Sequence, residues 1–278
     1  MNINMIIGLT ADNYKNIPVS FILRMLRWSG VGFSEVTTNA LSSPDRTLRS
    51  TRGMKLGLHL PNWGNCGFDF SSSGQKEKVE SLLHKIDQYR KIFNFRYAVF
   101  HPPEENLIHR SYEFYIRNIR QIHIPLVLEN IRSLSLKQFL EFYKRIKKEL
   151  GNRQIGICLD IPHAILSGED WKEYYHLLNS AVKVIHLSDC DEEDRHLPFG
   201  MGGTLDLDNI LATLDKFGFD GILNFEIKPP SIRHLDVVFE NYLQARKYFQ
   251  PDGIRKIQQR KKLINLMGLA IGVLSLHK

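Results

Sequence analysis

The chain is poor in cysteine: its 278 residues hold three, Cys66, Cys158 and Cys190. Three thiols do not make a disulfide framework, and their spacing is far from the paired thiolates of a Cys-type zinc site. Membrane-length apolar runs are also missing. The stretch MNINMIIGLTADN has no basic region leading into a long apolar one, so no secretory leader is expected and the protein reads as cytoplasmic. The segment LINLMGLAIGVLSLHK is apolar only over 263–276, well short of the about 20 residues of a membrane span. It predicts a helix packed on the fold. No G-x-G-x-x-G follows the first apolar run, which leaves a dinucleotide-binding doubly wound sheet without support. Neither a sequence repeat nor a linker is visible. The excess of 37 basic over 30 acidic residues, +7, tolerates an anionic substrate, nucleic acid included, without requiring one. Five of the basic residues fall in IRKIQQRKK (254–262), which reads as a solvated tail or helix face rather than a nucleic-acid grip.

What is present is a regular alternation. Apolar residues make up 43% of the chain, enough for a large core. Eight short apolar runs recur at 3–9, 32–38, 54–60, 97–101, 125–129, 155–160, 182–188 and 221–226. They lack strict polar alternation, as strands buried on both faces of a parallel sheet do. Helical patterns separate them at 74–93, 135–148, 171–179, 207–216 and 232–248, with Ser135 a candidate cap. The stretch 39–53, NALSSPDRTLRSTRG, predicts a loop or at most one helical turn. Together these predict an α/β fold, a (β/α)₈ TIM barrel spanning 1–250 as one domain, with 251–278 a basic, then apolar, helical tail. A doubly wound open sheet is the alternative.

The ends of the runs carry the chemistry. The third ends in His59, the fourth in His101, the fifth in Glu129, the sixth in Asp160 with His163 three residues on. The seventh carries His186 and leads into DRHLPFGMGG, with Asp194 and His196; the eighth ends in Glu226. In a parallel barrel these ends share one rim, where barrel enzymes keep their active sites. Singly, each has a plain reading: a strand-end histidine bonding backbone, or a carboxylate capping the next helix. Together they do not, because carboxylates gathered in one barrel mouth repel and lose solvation, and cations relieve both penalties. Nine nitrogen and oxygen donors exceed the three or four that one zinc needs and predict two or three divalent ions, Zn²⁺ or Mn²⁺ with Fe²⁺ as an option. Such clusters suit phosphoester chemistry.

The motifs GLHLP, VFHP, VLEN, CLDIPHAILSGED, HLSDCDEEDRHLPFGMGG and FEIKP, in this order and at strand ends, resemble the xylose isomerase-like barrels. Within them they look like the endonuclease IV type of metallohydrolase, with a branch of sugar phosphate isomerases and epimerases close by. The resemblance runs from about residue 3 to about residue 245. It implies that His59, His101 and Glu129 hold one ion. Glu129 bridges to a second, completed by Asp160, His186 and Glu226, and His163, Asp194 and His196 hold a third. The sequence departs from that type in the surface it uses on DNA. ENIRSLS replaces a threonine- and glycine-rich loop, DIPH replaces DTCH, EIKP replaces ETP, and Asn62 beside Trp63 stands where a tyrosine is usual.

The expected activity is therefore a metal-dependent phosphodiester hydrolase acting on a small or medium-sized sugar-, nucleotide- or corrinoid-containing substrate. Glu129, Asp160 and Glu226 are the expected catalytic carboxylates, and Arg195 is expected either to contact a phosphate or to form an exposed salt bridge. A sugar (phosphate) isomerase or epimerase needs only the Glu129, Asp160, His186 and Glu226 ion, with two carboxylates as acid and base. An abasic-site DNA endonuclease is the further alternative, disfavoured by the altered loops.

Overall fold

Runs rich in valine, isoleucine and leucine bury both of their faces only when helices cover one side and the barrel interior the other. The chain adopts that solution. The computed structural model describes residues 5–14, 16–103, 111–151, 155–231, 234–255 and 257–260. Its strands are β1 (Ile6–Ala11), β2 (Phe33–Thr37), β3 (Lys55–His59), β4 (Ala98–Phe100), β5 (Leu126–Glu129), β6 (Ile155–Asp160), β7 (Val182–Leu187) and β8 (Ile222–Phe225). They pair in parallel, in chain order, and β8 returns to β1 to close the barrel. This is the (β/α)₈ TIM barrel that the spacing predicts, and each expected strand is present.

The helices outside are α1 (Val19–Ser29), α2 (Pro44–Ser50), α3 (Trp63–Cys66), α4 (Lys76–Phe93), α5 (Tyr112–Arg120), α6 (Leu136–Leu150), α7 (Ile161–Leu166), α8 (Trp171–Leu178), α9 (Leu207–Lys216) and α10 (Leu235–Phe249). Ser135 caps α6 in a full capping box with Gln138. The stretch 39–53 is more ordered than its composition suggests. A 3₁₀ turn over Thr38–Ser42 runs into the seven residues of α2. Ser-Pro-Asp, which reads as loop chemistry, here starts a helix: Pro44 fits the first turn, where its missing N–H costs nothing, and Asp45 faces the positive helix end. The Thr47 hydroxyl then ties the helix to the Ala40 carbonyl at 2.9 Å. Within the basic run, the described residues are helical. Ile257 is buried, and the Arg260 guanidinium lies 5.3 Å from the Trp28 ring centroid. Trp28 closes α1 just before β2 begins, so this part of the run sits at the opposite end of the barrel from the strand C-termini. The apolar segment 263–276 lies outside the described residues.

Alternate strand residues fill the interior. Phe33, Tyr97, Val99, Val127, Cys158 and Val184 form an inner cluster separate from the larger core under the helices. Two glycines make room for its rings. A Cβ on Gly8 would collide with the Phe33 ring, and one on Gly57 would sit 2.6 Å from Tyr97 Cζ. Gly57→Ala is therefore expected to cost about 1–3 kcal/mol by overpacking, read as a lowered urea midpoint at constant slope. An unchanged midpoint would mean that the Tyr97 ring has somewhere else to go.

Candidate metal centre

Two residues along a strand return a side chain to the same face. The inward positions below the rim, Gly57, Val99, Val127, Cys158, Val184 and Asn224, are thus followed at the rim by His59, His101, Glu129, Asp160, His186 and Glu226. All six rim residues are buried. Glu129 is 1% exposed, yet one of its oxygens lies 3.4 Å from His59 Nε2 and 3.0 Å from His101 Nε2. The other lies 3.4 Å from His163 Nδ1 and 3.6 Å from His186 Nδ1. Glu226 reaches the same His186 Nδ1 at 2.9 Å and His59 Nε2 at 3.9 Å.

Three of the histidines share a construction. His59 Nδ1 faces the Leu60 carbonyl at 3.0 Å, so it carries a proton and leaves Nε2 toward Glu129 and Glu226. His163 Nδ1 faces the Asn130 carbonyl at 2.8 Å, leaving Nε2 toward the Asp194 carboxylate at 3.0 Å. His186 Nε2 lies 3.0 Å from the Glu35 carboxylate, leaving Nδ1 toward Glu226 and Glu129. In each ring one nitrogen is held by an acceptor and the other confronts a carboxylate. A neutral imidazole would set lone pair against lone pair. Either a second proton or a cation has to lie between them.

The protonation energetics follow. Burial alone would lower the His59 pKa, but Glu226 and Glu129 outweigh it and raise it to about 9. Burial likewise opposes Asp160, Asp194 and Glu129 at His163, which rises to about 10. Burial pushes the Asp160 carboxyl up to about 7, against the pull of His163. Glu129 and Glu226 move the other way: burial opposes their charge, yet the surrounding imidazoles hold both well below the usual carboxylate range. At His101 and His196 burial prevails and the pKa falls. Buried atoms that make no hydrogen bond among the described residues line the same space: Glu129 Oε2, Glu226 Oε2, His101 Nε2, His186 Nδ1 and Asp194 Oδ1. This donor set fits divalent cations.

The ligand atoms of His59, His101 and Glu129 lie within 4.8 Å of one another, as do those of Glu129, Asp160, His186 and Glu226. His163, Asp194 and His196 are brought to the same mouth more loosely, joined through Asp194, which lies 3.8 Å from His196 Nε2. His163 sits in the first turn of α7, whose cap is Asp160 itself, accepting from the His163 N–H at 2.6 Å. Asp160 is thus both rim carboxylate and helix cap. His196 holds a left-handed backbone, φ 50°, uncommon for a residue with a Cβ. The turn is fixed on both sides: the Lys228 N–H donates to the His196 carbonyl at 2.8 Å, and Asp189 pairs with Leu197 in an antiparallel bridge. The Asp189 carboxylate also accepts from the Cys190 and Leu205 N–H groups, and a Cβ on Gly203 would collide with it. The glycines of LPFGMGG are therefore part of how the loop presents Asp194 and His196.

Arg195 stands apart from the metal-seeking residues. It is exposed, and its guanidinium pairs with Asp191 and Glu193 on its own loop, so it is not part of the buried cluster. Four residues were not anticipated. Glu35, fully buried, also accepts from the Tyr97 hydroxyl at 2.6 Å, and with His59, His186 and Glu226 it makes a further group able to hold an ion. Its only sequence signal is a carboxylate inside the run GFSEVTT. Cys158 groups with Glu129 and His186 from one layer below the rim. The Asn130 side chain bonds both the N–H and the carbonyl of Asp160, locking β5 to β6 at the site. Lys228 is exposed beside His196, where its charge helps depress the His196 pKa. Away from the rim, His84 and His176 lie on α4 and α8, His123 lies in the connection before β5, His234 directly precedes α10, and His109 is outside the described residues.

Comparison with known proteins agrees with this geometry. Residues 46–249 match the family model described as Xylose isomerase-like TIM barrel. An uncharacterized protein of Methanocaldococcus jannaschii, MJ1311, is 30% identical over 86 residues, which are 30% of this chain and 29% of that one. Among solved structures, an AP endonuclease of family 2 from Brucella melitensis superposes with a TM-score of 0.63 at 18% identity, covering 81% of this chain and 93% of its own. A D-tagatose 3-epimerase-like protein gives 0.61 at 18% identity, covering 94% and 98%. The 3-keto-D-glucoside 4-epimerase of E. coli gives 0.61 at 13%, covering 87% and 99%. At these identities the structural likeness is one of fold, while the family match spans most of the sequence. The chain belongs to the xylose isomerase-like TIM barrel family.

Proposed function

We propose that the protein is a divalent-metal-dependent phosphodiester hydrolase. The observation that carries this reading is the outer trio: His163, Asp194 and His196 reach the same mouth as the compact rim groups, with His196 Nε2 3.9 Å from Glu226. His59, His101 and Glu129 would hold one ion. Glu129, Asp160, His186 and Glu226 would hold a second, and His163, Asp194 and His196 a third. Zn²⁺ or Mn²⁺ is the choice for such nitrogen-rich donor sets. When bound, such ions acidify water and neutralise charge on phosphoryl oxygens.

The chain's own residues do the rest. The Leu60 and Asn130 carbonyls and the Glu35 carboxylate fix which imidazole nitrogen is presented. Lys228, exposed at the mouth, supplies a cation to an approaching phosphate. Glu226, between His186 and His196, is placed to accept a proton from water. DNA is not the favoured phosphodiester: Arg260 of the basic run packs on Trp28 at the far end of the barrel, away from the rim.

A second reading has its own support. Glu129, Asp160, His186 and Glu226 form a complete group without the outer trio, and several structural neighbours are named as sugar epimerases. Glu129 and Glu226 would then serve as acid and base on a substrate carbon.

The readings separate on His196. His196→Ala is expected to remove one metal per chain and to lower phosphodiester turnover by about a hundredfold or more, the scale for losing one charge-stabilising group. Metal analysis of the purified variant and a p-nitrophenyl phosphodiester assay check this. Unchanged metal content with intact ketose epimerisation favours the second reading.

Metal affinity carries a signed pH dependence. At pH 7 in the metal-free protein His59, near 9, and His163, near 10, are protonated, and a metal must displace those protons. Affinity for Zn²⁺ is expected to rise with pH from 6 toward 10, with proton release visible by calorimetry in buffers of different ionisation heat. The same two groups stabilise the metal-free fold fully below about pH 6.5 and lose that contribution as pH climbs through their folded values. Binding without proton release at pH 7 would remove both residues from the ligand set.

A further inference from the structure

Beside the rim lies a cavity of about 530 Å³, within the range of small-molecule sites. It runs from His59 and Glu226 outward between β1, α1 and α10. Its walls are apolar: Phe21, Ile22 and Met25 from α1, and Leu235, Val238 and Phe239 from α10. Several polar groups at its β1 end are engaged with the protein. Asp12 Oδ1 accepts from the Thr37 hydroxyl, the Asn39 amide and the Asn13 N–H at 2.5, 2.7 and 2.7 Å. Asn13 Oδ1 accepts from the Val19 N–H at 2.9 Å, in place of a cap on α1, and the Thr10 hydroxyl accepts from the Asn224 amide at 2.8 Å. The walls that α1 and α10 contribute are apolar, so a sugar hydroxyl seated against the helices would lose water without replacing it.

We infer that this cavity is the specificity pocket for an apolar arm of the substrate. The substrate class is accordingly an amphiphilic phosphoester: an anionic head at the rim beside Lys228, joined to an aliphatic or aromatic group lying between α1 and α10. The head's assignment rests on the hydrolase reading above; the arm's rests on the cavity. Continuity fixes the occupant, because the same space is bounded by two rim residues at one end and by the helix faces at the other.

The test uses the metal-loaded full chain and p-nitrophenyl phosphodiesters whose second ester is methyl, butyl, hexyl or octyl. The value of kcat/KM is expected to rise by roughly threefold per methylene until the pocket is filled, the scale of burying one CH₂. Ile22→Glu and Leu235→Glu, both at half-buried positions outside the metal cluster, are expected to abolish this rise, read as an octyl-to-methyl ratio of kcat/KM that falls to about one. Having two such variants guards against either one misfolding. Calorimetric affinity for n-alkyl phosphates of one to eight carbons is measured alongside. Affinity that climbs with chain length while no phosphodiester is cleaved supports the pocket and overturns the hydrolase reading. Equal cleavage of methyl and octyl esters with flat affinity overturns the pocket and spares the hydrolase. Flat affinity is also what a cavity filled by the chain's own 263–276 segment would give, and it counts against the proposal in the same way.

Discussion

Glu129 is a carboxylate removed from water at the centre of a barrel mouth, with His59, His101, His163 and His186 all within 3.6 Å of its oxygens. A buried anion is costly unless paired, and most of the surrounding structure answers that cost. Asp160 and Glu226 stand in the same mouth, so positive charge has to be supplied there, either as protons on imidazoles or as cations. The raised pKa values of His59 and His163 and the depressed values of Glu129 and Glu226 are two sides of one demand. Backbone carbonyls hold the far nitrogens of His59 and His163, and Glu35 holds that of His186, so each ring keeps its orientation whichever positive charge is present.

The scaffold makes that arrangement rigid by transmitting it downward and outward. Below the rim, Gly57 leaves room for Tyr97, the Tyr97 hydroxyl donates to Glu35, and Glu35 faces His186. A glycine in β3 thereby bears on a rim residue in β7 through side chains alone. Outward, Asn130 pins Asp160, Asp160 caps α7, and α7 delivers His163 toward Asp194. The loop carrying Asp194 and His196 is held by Asp189 and by the close approach of Gly203. Positions set by strands and by satisfied backbone groups are more exact than positions on free loops, which is what a multi-ligand site requires.

Much of this was legible in the sequence, for a specific reason. Strand-end placement is a matter of period and spacing, so eight apolar runs in order located His59, His101, Glu129, Asp160, His186 and Glu226 on one rim. The hidden parts depend on contacts between distant residues. Glu35 lies inside a strand run, and its pairing with Tyr97 and His186 spans 62 and 151 residues. Asn130 looked like the first residue of a loop, although its side chain completes the sheet at β6. The stretch 39–53 was misjudged because serine, threonine and proline serve helix starts as readily as loops. For Arg195 the sequence leaves phosphate contact and salt bridge open, and neighbouring Asp191 and Glu193 give it partners in water, where a guanidinium loses no solvation.

What divides the chemistries open to this fold is the balance between the rim and the two regions beside it. The four-residue group of Glu129, Asp160, His186 and Glu226 could hold one ion, which is all that the epimerase reading asks of the rim. Keeping His163, Asp194 and His196 in the mouth has a cost: His196 holds a left-handed backbone and is buried, and Asp194 gives up part of its solvation, although His163 pairs with it. Those costs make physical sense where charge building on phosphoryl and leaving oxygens must be offset, as in phosphodiester cleavage, and little sense for a neutral ketose. The cavity argues in the same direction, because the walls that α1 and α10 give it are apolar. A polyol seated there would lose more in desolvation than it recovered, whereas a phosphoester with a hydrocarbon arm divides its two characters along the line where rim meets helices.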